Sequence, residues 1–371
     1  MKQVFLFLLF FFSIVRGQDT IRFDSLATNK KVSLMEFITK RRNFLIAPQL
    51  DRSPETGFQT GLYYLQLIKN KKDSTARTSN TETFLSITER KQYILEFNES
   101  IFLKKEKYIL RGGTILSDYN EFFYGVGNDI NVNQREFITL NVLNTSQRFI
   151  QSLGNKYFAG IQYQFYKTWN IHYAPNGILD NSDVLGKNGS RTSGFGPVFL
   201  YDSRDNVIYS SSGFFLDISA IFAQKAFGGQ YNYTNFILDA RKFIPVYKKN
   251  ILTFQGLANF NWGNLPFRQL SLMGSDIMMR GYYMGTYRDK IMMCAQTELR
   301  MPVWRFIGVV LFAALGEVEK KLSSINLKDI KETYGAGLRF MLIKHEKVNV
   351  GGELGFSRNT KALYFGSGEA F

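Results

Sequence analysis

The chain contains few of the residues that build most catalytic and metal sites. Cys294 is the only cysteine, and His172 and His345 are the only histidines. One cysteine cannot form a disulfide within the chain, which argues against a small secreted domain held together by disulfides. The histidines lie far apart, and no spacing of cysteine, histidine and carboxylate residues indicates zinc. Because a Gly-x-Ser-x-Gly motif and a phosphate-binding loop are also missing, we expect no enzyme and no bound metal or cofactor.

The chain also lacks a long apolar segment after its first residues. The nearest later candidate, IGVVLFAALG at 307–316, has ten residues, whereas a membrane-spanning helix needs about 18. A helical membrane topology is therefore excluded. The exception is the start of the chain, where Lys2 precedes an apolar core at 4–15 and small residues lie ahead of Gln18. This pattern predicts a secretory signal peptide over 1–17, with a buried N-terminal helix as the alternative.

Acidic residues are outnumbered by basic ones, and the formal net charge is +15. Such a balance favours nucleic acid, anionic lipid or acidic polymers as partners. The densest basic runs, at 69–73 and 247–249, are not interleaved with aromatic residues as a base-stacking surface requires, so we expect no nucleic-acid partner. Aromatic residues make up 16% of the chain, as expected where aromatic girdles lie at both membrane interfaces. Anionic lipid head groups are the favoured partner, and a merely solvated surface is the alternative.

Apolar and polar residues alternate with a period of two along the second half of the chain. At 291–301, for example, Gln296, Glu298 and Arg300 share the polar face. Many alternating segments have 10–15 residues, longer than the roughly 5–6 of soluble strands and close to the ~9–11 of a tilted membrane strand. The predicted strands are 193–203, 212–225, 231–247, 250–262, 291–302, 305–318, 332–343, 347–357 and 361–371, preceded by less distinct ones back to about 43.

Short and long connections alternate between these strands, as in outer-membrane barrels. Turns such as 247–250 and 344–347 are short, whereas 263–290 is long. The count is 15 or 16 strands, and a closed barrel favours the even number. The pattern predicts an all-β fold, a 16-stranded antiparallel transmembrane β-barrel over 43–371. Residues 18–42 are expected to form a short periplasmic N-terminal segment, because 25 residues are too few for an independent domain.

Several motifs resemble the BamA/TamA-like outer-membrane assembly superfamily, also called bacterial surface antigens. MRGYY at 279–283 resembles its motif in the sixth external loop, and YDSRDNVIYSSSGFFLDI at 201–218 resembles its Asp-x-Arg-Asp-Asn turn. TELRMPVW, LFAALGEV and the aromatic end ALYFGSGEAF complete the likeness over 193–371. The corresponding candidate residues are Met279, Arg280, Gly281, Tyr282 and Tyr283 in the loop, Asp202, Arg204, Asp205, Asn206 and Gly213 in a periplasmic turn, and Tyr364, Phe365, Gly366, Gly368 and Phe371 in the C-terminal strand signal and seam.

The resemblance implies that the long external loop folds into the lumen and that its arginine contacts acidic residues of the inner wall. On this chain Arg280 would contact Glu298, which the alternation independently places on the polar face. The family usually has an aspartate on the next strand, where this chain has Ala314. Whether Glu317 or Glu353 replaces that aspartate stays open. The alternative is that Arg280 only holds the loop and has no role beyond folding.

The resemblance further implies a protein of the Gram-negative outer membrane that assists the insertion or translocation of proteins or lipids. Gly366 and Gly368 would weaken the closure of the last strand and allow the barrel to open sideways, or they would merely make room for the lumenal loop. We expect a short member without periplasmic POTRA domains, so separate periplasmic or lipoprotein subunits would receive the unidentified client proteins. The alternatives are a passive channel or structural barrel and a soluble basic β-protein that binds nucleic acid.

Overall fold

The computed structural model describes residues 43–53, 56–68, 79–104, 106–206, 209–343 and 348–371. The predicted signal peptide at 1–17, the segment 18–42, the turn 344–347 and the basic run at 69–73 lie outside the described residues. Within the described ranges, no helix is long and apolar enough to cross a membrane.

Sixteen strands form one antiparallel sheet in which each strand pairs with its neighbours along the chain. Its first half consists of β1 (Phe44–Ser53), β2 (Gly57–Ile68), β3 (Ser79–Thr88), β4 (Tyr93–Leu103), β5 (Tyr108–Phe123), β6 (Glu136–Gly154), β7 (Tyr157–His172) and β8 (Ser190–Asp202). Its second half consists of β9 (Gly213–Ala223), β10 (Tyr233–Pro245), β11 (Ile251–Gly263), β14 (Ile291–Trp304), β15 (Ile307–Glu319), β16 (Lys331–Ile343), β17 (Val348–Ser357) and β18 (Lys361–Ser367). A small separate hairpin, β12 (Ser271–Met273) with β13 (Tyr287–Asp289), lies in the connection between β11 and β14. Single 3₁₀ turns cover Lys225–Phe227, Phe267–Gln269 and Leu322–Ser324.

The distribution of polar residues is inverted relative to that of a soluble protein. On β14 the inward side chains of Gln296, Glu298 and Arg300 are buried, whereas Met293 is exposed on the outer face. The largest exposed side chains of the wall are aliphatic or aromatic, for example Phe365 at 64% exposure. Apolar atoms face outward and charges face inward, as required of a barrel whose outer face meets lipid. The predicted 16-stranded antiparallel transmembrane barrel is thus confirmed.

The two ends of the barrel differ in their connections. The segments 124–135, 173–189, 224–232, 264–290 and 320–330 lie at one end, here called the long-loop end. At the other end, here called the short-turn end, strands are joined by turns such as 155–156 and 305–306. Among the described residues, β1 and β18 share no hydrogen-bonded ladder. These two strands are the margins of the sheet.

One predicted boundary is wrong. The last strand was expected to run to residue 371, but it ends at Ser367. Gly368 follows with φ +86°, a left-handed conformation that glycine adopts readily. The chain therefore leaves the wall, and Ala370 and Phe371 are buried inside the barrel.

Candidate functional site

The loop 264–290 lies inside the barrel, as the resemblance implies. Met273 and Met279 of this loop are completely buried, and Tyr282 is nearly so. They pack with Cys294 of β14 and Ala314 of β15 in one buried group, here called the lumenal apolar cluster. Bulky side chains in a loop are explained by this position, because the loop buries them against the inner wall.

Arg280 binds two carboxylates of the inner wall at once. Its Nη1 atom lies 2.6 Å from Oε1 of Glu298 on β14 and 2.8 Å from Oε2 of Glu353 on β17. Its guanidinium also lies 3.7 Å from the ring centroid of Phe312 on β15, a cation–π geometry. Burial lowers the pKa of Arg280, but the two glutamates outweigh that effect, so the pKa lies above its ordinary value. The arginine is therefore a permanent cation that ties the loop to three strands.

The second carboxylate is Glu353, and Glu317 has another contact. The Oε1 atom of Glu317 accepts a hydrogen bond from the main chain of Asn326 in the loop 320–330. Ala314, at the position where the family has an aspartate, packs in the lumenal apolar cluster. Two residues further, a Cβ atom on Gly316 would lie 2.9 Å from the sulfur of Met273. The loop therefore packs against an apolar part of β15. The second negative charge that contacts Arg280 comes from Glu353 of β17 instead.

The main chain of the loop lies directly against that of β17. Gly281 has φ +121°, and a Cβ atom there would lie 2.8 Å from the carbonyl carbon of Phe356. Tyr364 of β18 fixes the same point, because its hydroxyl accepts the Gly281 N–H at 2.9 Å and donates to the Tyr282 carbonyl at 3.3 Å. Met279, two residues before Gly281, has a left-handed main-chain conformation with φ 51°, which is uncommon for a residue other than glycine. The motif thus combines a charged anchor, a close main-chain approach and a tyrosine contact.

The two tyrosines of the motif contact different surfaces. Tyr282 lies edge-on to Tyr287, with ring centroids 5.2 Å apart. The ring centroid of Tyr283 lies 5.5 Å from that of Phe122 in β5 and 6.2 Å from that of Tyr124, which follows β5. The motif therefore spans the lumen from β17 and β18 towards β5.

A second charged anchor on the opposite wall was not predicted from the sequence. Glu121 of β5 forms ion pairs with Arg268 and Arg288, both in the loop 264–290. Arg268 also donates to the Tyr166 hydroxyl of β7 at 3.2 Å. Because one loop contacts β5 and β7 as well as β14, β17 and β18, the sheet must curl around it. The only available sequence signal was the charge of the two loop arginines and of Glu121.

The turn motif of the short-turn end is held by its own side chains. Arg204 donates two hydrogen bonds to the Asp202 carboxylate, at 2.9 and 2.8 Å. Asp205 accepts the main-chain N–H groups of residues 211 and 212, and Asn206 accepts that of residue 209. Gly213 has φ +113°, and a Cβ atom there would lie 2.4 Å from the Ser203 carbonyl oxygen. These residues shape the turn between β8 and β9.

The candidate residues of the C-terminal strand lie on both faces of the wall. Tyr364 faces the lumen, and Phe365 is exposed on the outer face. Gly366 pairs with Gly351 of β17, while Gly368 and Phe371 lie beyond the end of β18. The predicted seam residues are therefore divided between the last strand and a segment that enters the barrel.

The loop, the wall and the last residues are joined by a closed ring of alternating charges. Each arginine of the ring contacts two carboxylates, and each carboxylate contacts two arginines. The charges balance, which is how a barrel interior accommodates buried ions. The members in order are Arg280, Glu298, Arg300, Glu369, Arg339 and Glu353, which returns to Arg280.

The part of the chain that the structure describes contains several buried carboxylates. No group of three or more histidine, cysteine, aspartate or glutamate residues there could hold a metal ion. The buried carboxylates of the ring contact arginines instead.

Comparisons with known proteins agree with this architecture. A family model described as the Omp85 superfamily domain matches residues 72–368. The structure of BamA from Haemophilus ducreyi lacking POTRA domains 1-3 is similar with a TM-score of 0.58 and 13% identity, covering 88% of this chain and 69% of that chain. CdiB from Acinetobacter baumannii is similar with a TM-score of 0.57 and 11% identity, covering 88% of this chain and 59% of that chain. This chain thus spans less than two thirds of that CdiB chain. Among curated proteins, no sequence matches it.

Proposed function

Because this chain belongs to the Omp85 superfamily, we propose that it assists the insertion or translocation of proteins or lipids at the outer membrane of a Gram-negative bacterium. It does so without catalysing a covalent reaction. In this proposal the long-loop end faces the outside and the short-turn end faces the periplasm, the usual orientation of such barrels. Outer-membrane lipids surround the wall, and separate periplasmic or lipoprotein subunits deliver the clients.

The observation that carries the proposal is the anchoring of the loop by Arg280. A passive channel needs an open bore, whereas here the loop 264–290 crosses the lumen and is held at both walls, by Glu298 and Glu353 on one side and Glu121 on the other. Each anchor is an ion pair that water or a client segment could replace. The arrangement suits a barrel that is closed at rest and opens during a working cycle.

The margins of the sheet support the same proposal. β18 has seven residues, fewer than the wall strands before it. Within β18, Gly366 offers no side chain to pack across the margin. A weakly closed margin is a place where a strand or a lipid can pass between the lumen and the bilayer.

Depletion of the protein in its own bacterium tests the proposal. We expect outer-membrane proteins or lipids to fall in amount, and plasmid-borne wild-type protein to restore them. The Arg280→Ala variant should restore them poorly, whereas Arg191→Ala, which removes an exposed arginine at the long-loop end, should restore them fully. Affinity purification from the same membranes should recover a periplasmic or lipoprotein subunit. An unchanged envelope and an unaccompanied barrel with a large, steady pore would instead support a passive channel.

A further inference from the structure

The segment 368–371 is bound inside the short-turn end of the barrel as a ligand would be. Gly368 turns the chain inward, and its N–H donates to the Asn349 carbonyl oxygen at 2.8 Å. Both Ala370 and Phe371 are buried, at 7% and 6% exposure. The segment continues no strand, so its position comes from the groups that receive it.

Three side chains from three strands receive this segment. Arg339 of β16 donates to the Glu369 carboxylate at 3.0 Å, and the Asn349 side chain of β17 donates to it at 2.8 Å. Arg300 of β14 donates to the Phe371 carbonyl oxygen at 2.7 Å, and its guanidinium lies 5.6 Å from the centroid of the Phe371 ring. Together Arg300, Arg339 and Asn349 bind an acidic side chain, a main-chain oxygen and an aromatic ring.

We propose that Arg300, Arg339 and Asn349 form a binding site for an acidic polypeptide segment with an aromatic residue two positions after the acid. The segment 368–371 is its resident occupant and inhibits it. The inference rests on the proposed function only in taking a client polypeptide as the competitor. Beside the occupant lies a small, open-mouthed cavity of about 30 Å³, lined by Tyr209, Arg305 and Phe306 among others. A cavity of this size has room for water but not for a peptide, so a competing segment binds only where the resident segment has left.

The occupant of this site also controls how firmly the loop is held. Glu369 supplies one of the three negative charges of the ring. Without it, Arg300 and Arg339 must share Glu298 and Glu353 with Arg280. Three buried arginines then compete for two carboxylates, and the hold on Arg280 weakens. Release of the segment therefore loosens the loop, whereas a bound acidic competitor restores the charge balance.

Peptide binding to the purified full chain in detergent tests the site. The probe is a labelled peptide with the sequence of residues 361–371, and fluorescence anisotropy reports its binding. The doubly substituted chain Glu369→Gln/Phe371→Ala should bind the probe at least about tenfold more tightly than the wild type, because the resident competitor is weakened. Adding Arg339→Ala should abolish that gain. A peptide carrying Gln and Ala at the two corresponding positions should not bind.

The coupling to the loop has its own measurement. Cys294 is buried in the lumenal apolar cluster beneath the loop, so the rate of thiol labelling reports how often the loop moves away. Glu369→Gln should accelerate labelling, and the unlabelled peptide should slow it again. Glu332→Gln, which changes an exposed glutamate, is the matched control and should change neither rate nor binding. Heat-dependent migration on gels verifies that each variant has folded.

Equal binding by the wild type and the doubly substituted chain, or binding of the Gln/Ala peptide, overturns the proposed site. An unchanged labelling rate in Glu369→Gln overturns the coupling. Neither measurement involves transport. If depletion causes a clear envelope defect but the peptide does not bind, this inference alone is overturned. If the peptide binds but depletion leaves the envelope unchanged, the proposed function alone is overturned.

Discussion

The main chain of Gly355 in β17 lies against that of Arg280 in the lumenal loop. A Cβ atom on Gly355 would lie 2.8 Å from both the carbonyl carbon and the carbonyl oxygen of Arg280. On the loop side, Gly281 approaches Phe356 as closely. The position of the loop is therefore fixed by main-chain contact as well as by charge, and the guanidinium reaches its carboxylates only while this contact holds.

Replacing Gly355 with alanine should displace the loop. The added methyl group meets main-chain atoms that cannot rotate away, and such overpacking costs about 1–3 kcal/mol. We expect faster thiol labelling of Cys294 and a lower thermal unfolding midpoint than in the wild type. Gly256→Ala in β11 is the matched control, because a Cβ atom there meets nothing within 4 Å. Equal effects of the two substitutions would show that the close approach does not hold the loop.

Removal of the arginine should open the lumen. Arg280→Ala leaves Glu298 and Glu353 buried with one partner fewer, and breaking a buried ion pair in this way costs about 3–5 kcal/mol. In planar bilayers we expect larger and more frequent conductance steps than in the wild type. Arg280→Lys should recover part of the closure, since an ammonium keeps the charge but lacks the planar fork. Wild-type conductance in Arg280→Ala would show that Arg280 has no role beyond folding.

A comparison of two glutamates tests which of them completes the anchor. Glu353→Gln should increase Cys294 labelling, because it removes a charge that both Arg280 and Arg339 contact. Glu317→Gln should leave the labelling rate unchanged, since Glu317 accepts a main-chain hydrogen bond from Asn326 at the long-loop end. Stronger labelling in Glu317→Gln than in Glu353→Gln would reverse this assignment.

The wall could be predicted from the sequence because its determinants are local. Successive side chains of a strand point alternately into the lumen and towards the lipid. Because the lumenal face is charged and the lipid face is apolar, the sequence of β11 and β14 alternates visibly between polar and apolar residues. The strand ends agree within a few residues for the same reason. The end of β18 was missed because the attraction that draws residue 369 inward comes from Arg300 and Arg339, which are distant in sequence.

Contacts across the lumen were less accessible to prediction. The pair of Arg280 and Glu298 was expected from a motif and from alternation, but the choice of Glu353 over Glu317 depends on how the wall curves. The pairing of Glu121 with Arg268 and Arg288 joins residues from opposite walls. No local pattern encodes such a pairing, because it exists only after the sheet has wrapped around the loop.

Tyr364 links the loop to the last strand, and its hydroxyl is the group to remove. Tyr364→Phe leaves the buried Gly281 N–H without its 2.9 Å acceptor, at a cost of about 1–3 kcal/mol. A loss of about 1–3 kcal/mol corresponds to a change of at least about fivefold in the loop equilibrium, so Cys294 labelling should accelerate at least about fivefold. Tyr334→Phe on the outer face of β16, where the side chain is 58% exposed, is the control for losing a hydroxyl and should label at the wild-type rate. Tyr364 belongs to the strand at the margin of the sheet. An unchanged rate of Cys294 labelling in Tyr364→Phe would therefore mean that the margin and the loop move independently.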